Sequence, residues 1–446
     1  MSLRIKLADL SDEHKSFIRK HLLHKREENY TMKSRQSYGS QIEKPELQLF
    51  ETNGEELWLP ITYARGLLKL ENFDETEFPM IDLTFTGTLL PRQDSVIVEA
   101  TEQLENYNTT TLWLHPGFGK TVLGAYLSCY LKCKTIIIHT MSTLNKQWFT
   151  AFSSFTTAKI WVVGEKEIEN PDVVICMDTR ITKLSDDYLS QFGVLIIDEA
   201  HEWCSTQNRI SKLMRFHPKY IIVESATIQK ADSMEKVIYC IAGKHCVRRD
   251  YEKEFKAIIV HTNFEPEIKK TIHGTNMDLL RKDLARDNRR NNIIIDLVKQ
   301  NKDYKILIVS WLVEHCEYLT KLLLDENVSS YYGNAKNYKD ARIIIGTYKK
   351  VGTGFDEALA CENWDGKRID LVVMTILVKD TNFFEQVVGR GLRSEFPNFI
   401  LLVDDNPTVK RHLSANKKWL NAHKCSIREI NLINEYESEI LDLNKS

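Results

Sequence analysis

A glycine-rich turn carries the first residues whose types and spacing could do chemistry. An apolar run at 111–115 leads into this turn, and residues with helical spacing follow it. The turn consists of Pro116, Gly117, Phe118, Gly119, Lys120 and Thr121. A strand, a turn ending in Gly-Lys-Thr and a helix are together typical of a phosphate-binding loop. We expect backbone N–H groups to cradle phosphate here, with Lys120 reaching the outer phosphates and Thr121 placed for Mg²⁺.

The loop departs from the general phosphate-binding pattern at one position. That pattern has a glycine five residues before Gly119, where this sequence has Leu114. A loop shortened in this way still ends in Gly-Lys-Thr, so the phosphate cradle remains our interpretation. These residues alone leave open the alternative that the segment is a plain turn.

A pair of acids follows a second apolar run. Residues 195–197 are followed by Asp198, Glu199, Ala200 and His201. An acid at the end of a buried parallel strand lies at the carboxyl edge of the sheet, where ligands of α/β proteins bind. We expect Asp198 to hold Mg²⁺ through its water shell, Glu199 to orient or deprotonate an attacking water, and His201 to couple the site to a neighbouring lobe. The alternative is that the acids only cap a helix N-terminus, a position that carboxylates also favour.

Three small residues, Ser225, Ala226 and Thr227, follow the apolar run at 220–224. A plain turn is the default interpretation of such residues. Their position after the acid pair indicates a hydroxyl-bearing link between a nucleotide pocket and a lobe interface.

Two arginines late in the chain, Arg390 and Arg393, stand three residues apart in a segment that begins at Gln386. On a helix this spacing places both side chains on one face. Two guanidinium groups facing a cleft would stabilise the charge on a transferring γ-phosphoryl group, and such an arginine finger contributes roughly 10³–10⁵ in rate. An exposed basic helix face is the alternative. However, Gly389 and Gly391 each cost about 1 kcal/mol inside a helix, which argues against a helix selected for stability alone.

A glycine cluster precedes the arginines. Gly352, Gly354 and Asp356 follow another apolar run at 342–346. Glycine permits close approach of the backbone, and Asp356 could bridge to a nucleotide or to an arginine. We interpret the segment as a loop that couples the nucleotide to the arginine helix.

The elements that must position these residues alternate along the chain. Short runs rich in Ile and Val are each followed by a longer segment with helical spacing, which predicts parallel sheets covered by helices. The runs are nearly continuous hydrophobics, as expected of strands buried on both faces. The predicted strands are 111–115, 135–140, 160–163, 173–176, 194–198 and 220–224 in the first half, and 257–261, 306–310, 342–346, 371–375 and 399–403 in the second. The fold class is therefore α/β, with two lobes in tandem.

Further segments flank and join the two lobes. We assign residues 1–88 to a small N-terminal accessory α+β domain and 89–249 to lobe 1. Residues 250–292 are highly charged and form a predicted connector with helical character. Lobe 2 covers 293–408, and a basic helical tail follows at 409–446. Within the first segment, 78–90 alternates in the manner of a strand.

Composition sets the broad class of protein. A chain of 446 residues, 43% hydrophobic and 27% charged, can form two or three domains with cores of their own. The net charge of −2 means that any nucleic acid must be bound by a local basic surface. Nine cysteines without the spacing of a zinc knuckle indicate free thiols in a reducing compartment. A polar N-terminus and the lack of an apolar run near ~20 residues predict a soluble, intracellular protein with no membrane segment.

Taken in order, the motifs resemble those of superfamily 2 helicases over roughly residues 89–405. The resemblance rests on Gln93, the phosphate loop, Leu144 to Trp148, the acid pair with Ala200 and His201, Ser-Ala-Thr, the glycine cluster and the arginine segment. Within that superfamily, the chain is most similar to the branch that holds the TFIIH translocase subunit, the phage branch-migration helicase and the poxvirus transcript-termination helicase. The segments 115–121, 287–297, 306–323, 333–335 and 352–356 look closest to the last of these.

The resemblance implies two RecA-like lobes that bind ATP and Mg²⁺. It places nucleotide contacts at Gln93, Pro116, Gly117, Phe118, Gly119, Lys120, Thr121, Asp198, Glu199, Asp356, Arg390 and Arg393. Coupling between lobes would use His201, Ser225, Thr227, Gly354 and Gln386. Contacts to a nucleic-acid strand would lie near Thr140, Thr179 and Ser310.

The activity implied is that of an ATP-dependent DNA helicase or translocase acting in transcript release or in DNA repair and recombination. The implied source is a large DNA virus, with the protein in host cytoplasm or virion. Its substrate would be single-stranded, duplex or forked DNA, with RNA as an alternative and the transcription machinery as a partner; a monomer is favoured. Two other functions stay open: a duplex translocase that never separates strands, and a non-catalytic subunit of a transcription complex.

Overall fold

The computed structural model describes residues 2–25, 46–68, 78–204, 206–225, 235–267, 275–352 and 355–432. Contacts within the chain divide it into two compact units, Met1–Arg249 and Asp250–Ser446, called unit 1 and unit 2 below. Two predicted coupling residues, Thr227 and Gly354, lie outside the described residues.

Unit 1 begins with a small α+β segment. Its elements are β1 (Ser2–Lys6), α1 (Asp12–Leu22), β2 (Leu23–Lys25), β3 (Glu46–Gln48), β4 (Glu51–Thr52), β5 (Glu56–Pro60) and α2 (Ile61–Leu68). Strands β1, β5 and β4 form an antiparallel sheet, and β2 pairs with β3. Helix α1 starts at an N-cap serine, Ser11, whose side chain accepts a hydrogen bond from His14 N.

The rest of unit 1 is a parallel seven-stranded sheet with helices on both faces. Its strands are β6 (Thr109–Leu114), β7 (Thr135–His139), β8 (Ile160–Val162), β9 (Val173–Met177), β10 (Val194–Asp198), β11 (Tyr220–Ser225) and β12 (Val247–Arg249). Its helices are α3 (Pro91–Tyr107), α4 (Lys120–Leu131), α5 (Ser142–Phe155), α6 (Asp186–Leu189), α7 (Ala200–Trp203), α8 (Gln207–Met214) and α9 (Glu235–Ala242). The strand order is β12-β6-β11-β10-β7-β9-β8. The carboxyl ends of β6, β11 and β10 are therefore neighbours at one edge of the sheet.

Successive residues of a strand face opposite sides of a sheet, and the two sides of unit 1 have separate cores. Val194 and Ile196 of β10 pack in the apolar cluster that holds residues of α3, α4 and α5. Leu195 and Ile197 pack in the other cluster, which also holds residues of α1, β5 and α8. The N-terminal segment thus shares its core with lobe 1, whereas the sequence suggested an accessory domain.

Unit 2 contains a second parallel seven-stranded sheet. Its strands, with a two-stranded β16-β18 ladder beside the sheet, are β13 (Lys256–His261), β14 (Ile306–Ser310), β15 (Val328–Tyr331), β16 (Tyr338–Lys339), β17 (Ile343–Thr347), β18 (Cys361–Glu362), β19 (Leu371–Met374), β20 (Asn398–Val403) and β21 (Ser426–Asn431). Its helices are α10 (Met277–Arg286), α11 (Asn288–Gln300), α12 (Val313–Leu322), α13 (Tyr348–Gly352), α14 (Glu357–Ala360), α15 (Thr381–Gly391) and α16 (Pro407–Ala422). The sheet order is β15-β17-β14-β19-β20-β13-β21.

The prediction of two α/β lobes with parallel sheets is confirmed, and each strand predicted in the lobes is present. Three segments differ from their sequence interpretation. Residues 250–292, assigned to a connector, contain the predicted strand 257–261 as β13, and this strand lies inside the second sheet. Residues 409–446 do not form a purely helical tail, because β21 pairs with β13 after α16 ends. Residues 78–90 form only isolated bridges, at Met80 and Phe85, because they run along the surface of the lobe instead of entering a sheet.

Two further observations concern the chain as a whole. All nine cysteines are free, as predicted. Among the described residues, no helix has the length and apolar character needed to cross a membrane.

Candidate functional site

The phosphate loop connects the end of β6 to the start of α4. Gly117 and Gly119 adopt φ values of 80° and 100°, in the left-handed region that favours glycine. Leu114, which replaces the glycine of the longer pattern, is the last residue of β6 and is fully buried. The loop is therefore short because the strand continues through that position.

Lys120 and Thr121 begin helix α4, and both side chains have protein partners. The Lys120 ammonium donates to the Leu114 carbonyl oxygen over 3.0 Å. The Thr121 hydroxyl accepts from Gln147 Nε2 over 2.8 Å. Pro116 is half-buried, and Gly117 is exposed at the tip of the loop. Phe118 is buried and packs in the core cluster beneath the loop, so its side chain supports the loop from inside.

Gln93 braces the phosphate loop. Its side-chain oxygen accepts from Leu90 N over 2.9 Å, and its Nε2 donates to the Phe118 carbonyl oxygen over 3.2 Å. A Cβ atom at Gly119 would lie 2.5 Å from Gln93 Nε2 and would displace that side chain, and the φ of 100° independently favours glycine there. The neighbouring Arg92 donates to the Gly117 carbonyl oxygen over 3.0 Å, a contact that the sequence did not indicate. That Gln93 contacts a nucleotide stays a prediction.

Asp198 ends β10 beside the loop, with 5% of its surface exposed. Its Oδ2 accepts from Trp148 Nε1 over 2.8 Å, and its Oδ1 accepts from Glu199 N over 2.8 Å. Burial, reinforced by the Glu199 charge, raises the pKa of Asp198 to about 7, while Trp148 and Lys120 act in the opposite direction. Because the charges of Lys120 and Glu199 both affect the pKa of Asp198, the three side chains lie close together.

Two consecutive residues of α5 hold the two predicted magnesium ligands. Gln147 bonds to Thr121 and Trp148 bonds to Asp198. Both belong to the motif at 144–148, which the sequence singled out without giving it a role. The available signal was its place in the motif order, since a glutamine and a tryptophan suggest no metal chemistry by themselves.

Glu199 and His201 follow Asp198 through a strained turn. Glu199 adopts φ 48° and ψ 53°, a left-handed conformation that is uncommon outside glycine and asparagine. Its Oε2 lies 3.3 Å from His201 Nδ1, and the same nitrogen lies 3.1 Å from Ser225 Oγ. The structure thus brings the acid pair, His201 and the first residue of the Ser-Ala-Thr segment together.

Glu224, the residue before Ser225, was missed by the sequence reasoning. It is the register partner of Asp198 on the adjacent strand, and 1% of its surface is exposed. Burial, and then the Asp198 charge, raise its pKa well above the usual range of a glutamate. A single glutamate in an apolar run gave no signal, because only the strand register shows that it adjoins Asp198.

The predicted arginines lie in unit 2 and differ in their surroundings. Arg390 is buried, and its guanidinium donates to the carbonyl oxygens of Val351, Gly352 and Phe355 over 2.9, 2.7 and 2.8 Å. Arg393 lies beyond the end of α15 and forms a 2.9 Å ion pair with Asp356. The two arginines therefore do not share one helix face, because the helix ends at Gly391. Arg390 secures the glycine-cluster segment from within.

The remaining predicted residues are dispersed. Gln386 is half-buried on α15. Thr140 is half-buried after β7, and Thr179 is exposed in the turn Asp178–Lys183. Ser310 is buried, and its hydroxyl lies 2.8 Å from His315 Nδ1, whose Nε2 lies 2.8 Å from Asn291 Oδ1. The Ser310 hydroxyl is thus engaged within its own unit.

The donors at the edge of unit 1 fit a nucleotide with a magnesium ion better than a metal bound by protein alone. In the part of the chain that the structure describes, no three His, Cys, Asp or Glu side chains converge on one metal position. Mg²⁺ is usually held by one or two carboxylates together with substrate phosphates and waters. Thr121 and Asp198 supply such a partial set next to the glycine-containing loop that joins β6 to α4.

Comparisons with known proteins agree with this geometry. Residues 86–230 match the family model described as the type III restriction enzyme res subunit. The chain is 28% identical over 417 residues to the putative helicase 161L of Invertebrate iridescent virus 6, covering 85% of this chain and 90% of the relative. It is 25% identical over 354 residues to transcript termination protein A18 of Myxoma virus (strain Lausanne), covering 70% and 71%. The structure of S. cerevisiae Dbp5 bound to RNA and ADP BeF3 superposes with a TM-score of 0.54 at 13% identity, covering 86% and 97%.

The fold and the phosphate-loop site, with these relatives, are those of an ATP-hydrolysing helicase or translocase, and the chain resembles the helicases of superfamily 2. Within that class, the chain is similar to viral helicases, including the poxvirus transcript termination proteins.

Proposed function

We propose that the chain hydrolyses ATP at the carboxyl edge of the unit 1 sheet and uses the energy to move along or unwind DNA. The observation that carries the proposal is the placement of Lys120 and Thr121 at the start of α4, beside the end of β10 with Asp198 and Glu199. Lys120 and Glu199 both act on the pKa of Asp198, so the three groups share one site.

In this proposal each residue of the site has one task. Backbone N–H groups from Gly117 to Thr121 bind the phosphates, and Lys120 moves from the Leu114 carbonyl to the outer phosphates. Thr121 and Asp198 hold Mg²⁺, which when bound neutralises charge on the β- and γ-phosphates. Glu199 orients or deprotonates the attacking water. Gln93 keeps the loop in shape through the Phe118 carbonyl.

Unit 2 supplies the arginines. Arg393 is the stronger candidate for the arginine finger, because a single ion pair with Asp356 can be exchanged for a phosphate. Arg390 keeps its three carbonyl partners and positions the segment that carries Asp356. In the same proposal His201, Ser225, Thr227, Gly354 and Gln386 transmit the state of the nucleotide between the units.

The proposed nucleic acid is DNA, and the proposed process is transcript release. The similarity to the myxoma virus transcript termination protein supports this choice over repair or recombination. A viral source is supported by the same relatives. RNA is the alternative substrate, because the Dbp5 structure of similar fold contains RNA. Thr140 and Thr179 are the proposed strand contacts in unit 1.

The first test is steady-state ATPase activity of the whole chain, alone and with single-stranded DNA, duplex DNA, forked DNA and RNA. We expect one form of DNA to stimulate turnover strongly and the Lys120→Ala variant to show no activity with any of them. Stimulation by duplex DNA without strand separation would favour the pure translocase. Stimulation by RNA alone would overturn the DNA assignment. Binding of nucleic acid with no ATPase activity would instead favour the non-catalytic subunit.

A further inference from the structure

Glu224 lies behind the candidate nucleotide site, on the strand between the phosphate loop and the acid pair. Strand β11 stands between β6 and β10, with Glu224 opposite Leu112 on one side and Asp198 on the other. Register partners on neighbouring strands project to the same face of a sheet. Glu224 and Asp198 therefore point into the same space, on the side of the sheet that α4 covers.

The carboxyl group of Glu224 has no hydrogen-bond partner among the described residues. It is 1% exposed, and both of its oxygens are buried and unsatisfied. A buried acid without a partner destabilises a protein by an amount on the order of several kcal/mol, so such groups are rare unless a ligand completes them. Asp198 and Lys120 both act on the pKa of Glu224, which places it within reach of the ion-binding end of the site.

Gly124 and Trp148 limit the position of the Glu224 side chain. A Cβ atom at Gly124 would lie 2.6 Å from Glu224 Oε1 and 2.9 Å from the nearest ring carbon of Trp148. Trp148 in turn donates to Asp198 over 2.8 Å. Gly124 thus leaves room in α4 for a glutamate that packs directly beneath the helix turn carrying Lys120 and Thr121. A smaller apolar residue would fill this space without a buried charge.

We propose that Glu224 is a positioning residue that accepts hydrogen bonds from the water shell of the magnesium ion held at Thr121 and Asp198. The inference rests on the ATP–magnesium site proposed above. Mg²⁺ gives up its waters reluctantly and keeps several of them when bound to protein. Those waters donate hydrogen bonds, and the two oxygens of the Glu224 carboxyl group can accept them. Such outer partners orient a metal and its ligands, and their loss typically lowers metal affinity about 10–100-fold.

The test measures binding of a fluorescent ADP, N-methylanthraniloyl-ADP, to the whole chain in EDTA and over a series of Mg²⁺ concentrations. We compare the wild type with Glu224→Gln and with Glu102→Gln, which removes an equal charge from an exposed position on α3. In EDTA we expect all three to bind alike. With Glu224→Gln, the Mg²⁺ concentration that gives half of the metal-dependent gain in affinity should rise about tenfold or more. Glu102→Gln should follow the wild type.

The outcomes separate this inference from the proposed function. An unchanged Mg²⁺ dependence for Glu224→Gln would overturn the inference while leaving the ATP site intact. An equal loss of affinity in EDTA and in Mg²⁺ would overturn it too, because Glu224 would then act through Lys120 or through packing. A wild type that shows no Mg²⁺-dependent ADP binding would contradict the proposed function itself.

A folding defect is checked by urea unfolding without metal. Glu224→Gln should be at least as stable as the wild type, since it removes a buried acid whose oxygens have no hydrogen-bond partner in the described part of the chain. Glu224→Asp gives a second test, because it keeps the acceptor but shortens it by one methylene group. We expect that variant to show a smaller shift in the Mg²⁺ dependence than Glu224→Gln, and a shift at least as large would count against the inference.

Discussion

The charged groups of the candidate site in unit 1 and those of the arginine segment in unit 2 differ in how fully they are bonded. In unit 1, Glu224 has no hydrogen-bond partner among the residues that the structure describes, and burial raises the pKa of Asp198 to about 7. In unit 2, the buried Arg390 guanidinium donates to three carbonyl oxygens, and Arg393 is paired with Asp356. Charges left incomplete are typical of a site that binds a ligand, whereas complete networks are typical of structural support.

This difference distinguishes residues that bind a ligand from residues that support the structure, although both kinds occur in the same sequence motifs. Substitutions at the unit 1 edge should change nucleotide chemistry with little effect on folding. Substitution of Arg390 in unit 2 should first change stability. Arg393 is the exception in unit 2, because its ion pair is partly exposed and can be exchanged.

Arg393→Ala should have the largest effect. Loss of an arginine finger lowers turnover by about 10³–10⁵-fold, while nucleic-acid binding should persist. The measurement is DNA-stimulated ATPase activity beside DNA binding at fixed salt. Arg411→Ala, which changes an exposed arginine on α16, is the control and should resemble the wild type. Wild-type turnover in Arg393→Ala would remove the arginine-finger role.

Glu199→Gln should come next. It keeps the shape of the side chain but removes the proton acceptor, so turnover should fall about 10²–10⁴-fold while ATP still binds. Equilibrium binding of ATP and single-turnover hydrolysis separate the two effects. Undiminished hydrolysis would mean that another group positions the water.

Arg390→Ala should act on folding. It leaves three buried carbonyl oxygens without a donor, and we expect a loss of about 2–5 kcal/mol in the free energy of unfolding of unit 2. Arg393→Ala should cost about 1 kcal/mol or less, since its pair is partly exposed. Urea unfolding measures both, and equal losses would contradict the distinction between the two arginines.

One helix glycine in each unit permits close packing on the sheet. A Cβ atom at Gly124 would lie 2.6 Å from Glu224 Oε1, and one at Gly391 would lie 2.9 Å from Val372 Cγ2. Each substitution to alanine should destabilise its unit by about 1–3 kcal/mol. Gly66→Ala is the matched control, because nothing lies within 4 Å of the added atom and α2 should gain roughly 0.5–1 kcal/mol. A loss at Gly66 as large as at Gly124 would show that the close contact of the added Cβ atom does not decide the result.

The smallest expected effect comes from two buried histidines, one in each unit. Burial lowers the pKa of both, so the two units do not differ in this respect. Burial lowers the pKa of His139 in unit 1 to about 4 and that of His315 in unit 2 to about 3. Unfolded histidine binds its proton near pH 6.5, so the unfolded state holds more protons below that pH, and stability must fall as pH decreases. For His315 alone we expect a loss of about 1–2 kcal/mol between about pH 7 and pH 5, measured by urea unfolding. His315→Gln should lack this part of the pH dependence, and an unchanged slope would show that His315 is not the titrating group.

The sequence predicted the lobes because their strands are continuous apolar runs that only a doubly covered sheet explains. It did not predict β12, β15 or β21, which lie at sheet edges and carry charged or polar residues, Arg248, Ser329 and Arg428 among them. At the site, the phosphate loop and acid pair were predicted from residue types alone. Glu224 and the surroundings of Arg390 were not, since both depend on contacts between residues that are far apart in sequence. The roles assigned to the site residues stay predictions.

The order of strands in unit 2 has a consequence for how that unit is made. Strand β13 comes first in the unit, yet its two neighbours in the sheet, β20 and β21, come last. During synthesis, β13 therefore remains apolar and unpaired until β20 and β21 emerge, when almost the whole unit has been translated. Such long-range pairing slows folding and leaves strand edges open to association with other chains. We expect any truncation before β21 to yield a product that aggregates, whatever the state of its catalytic residues.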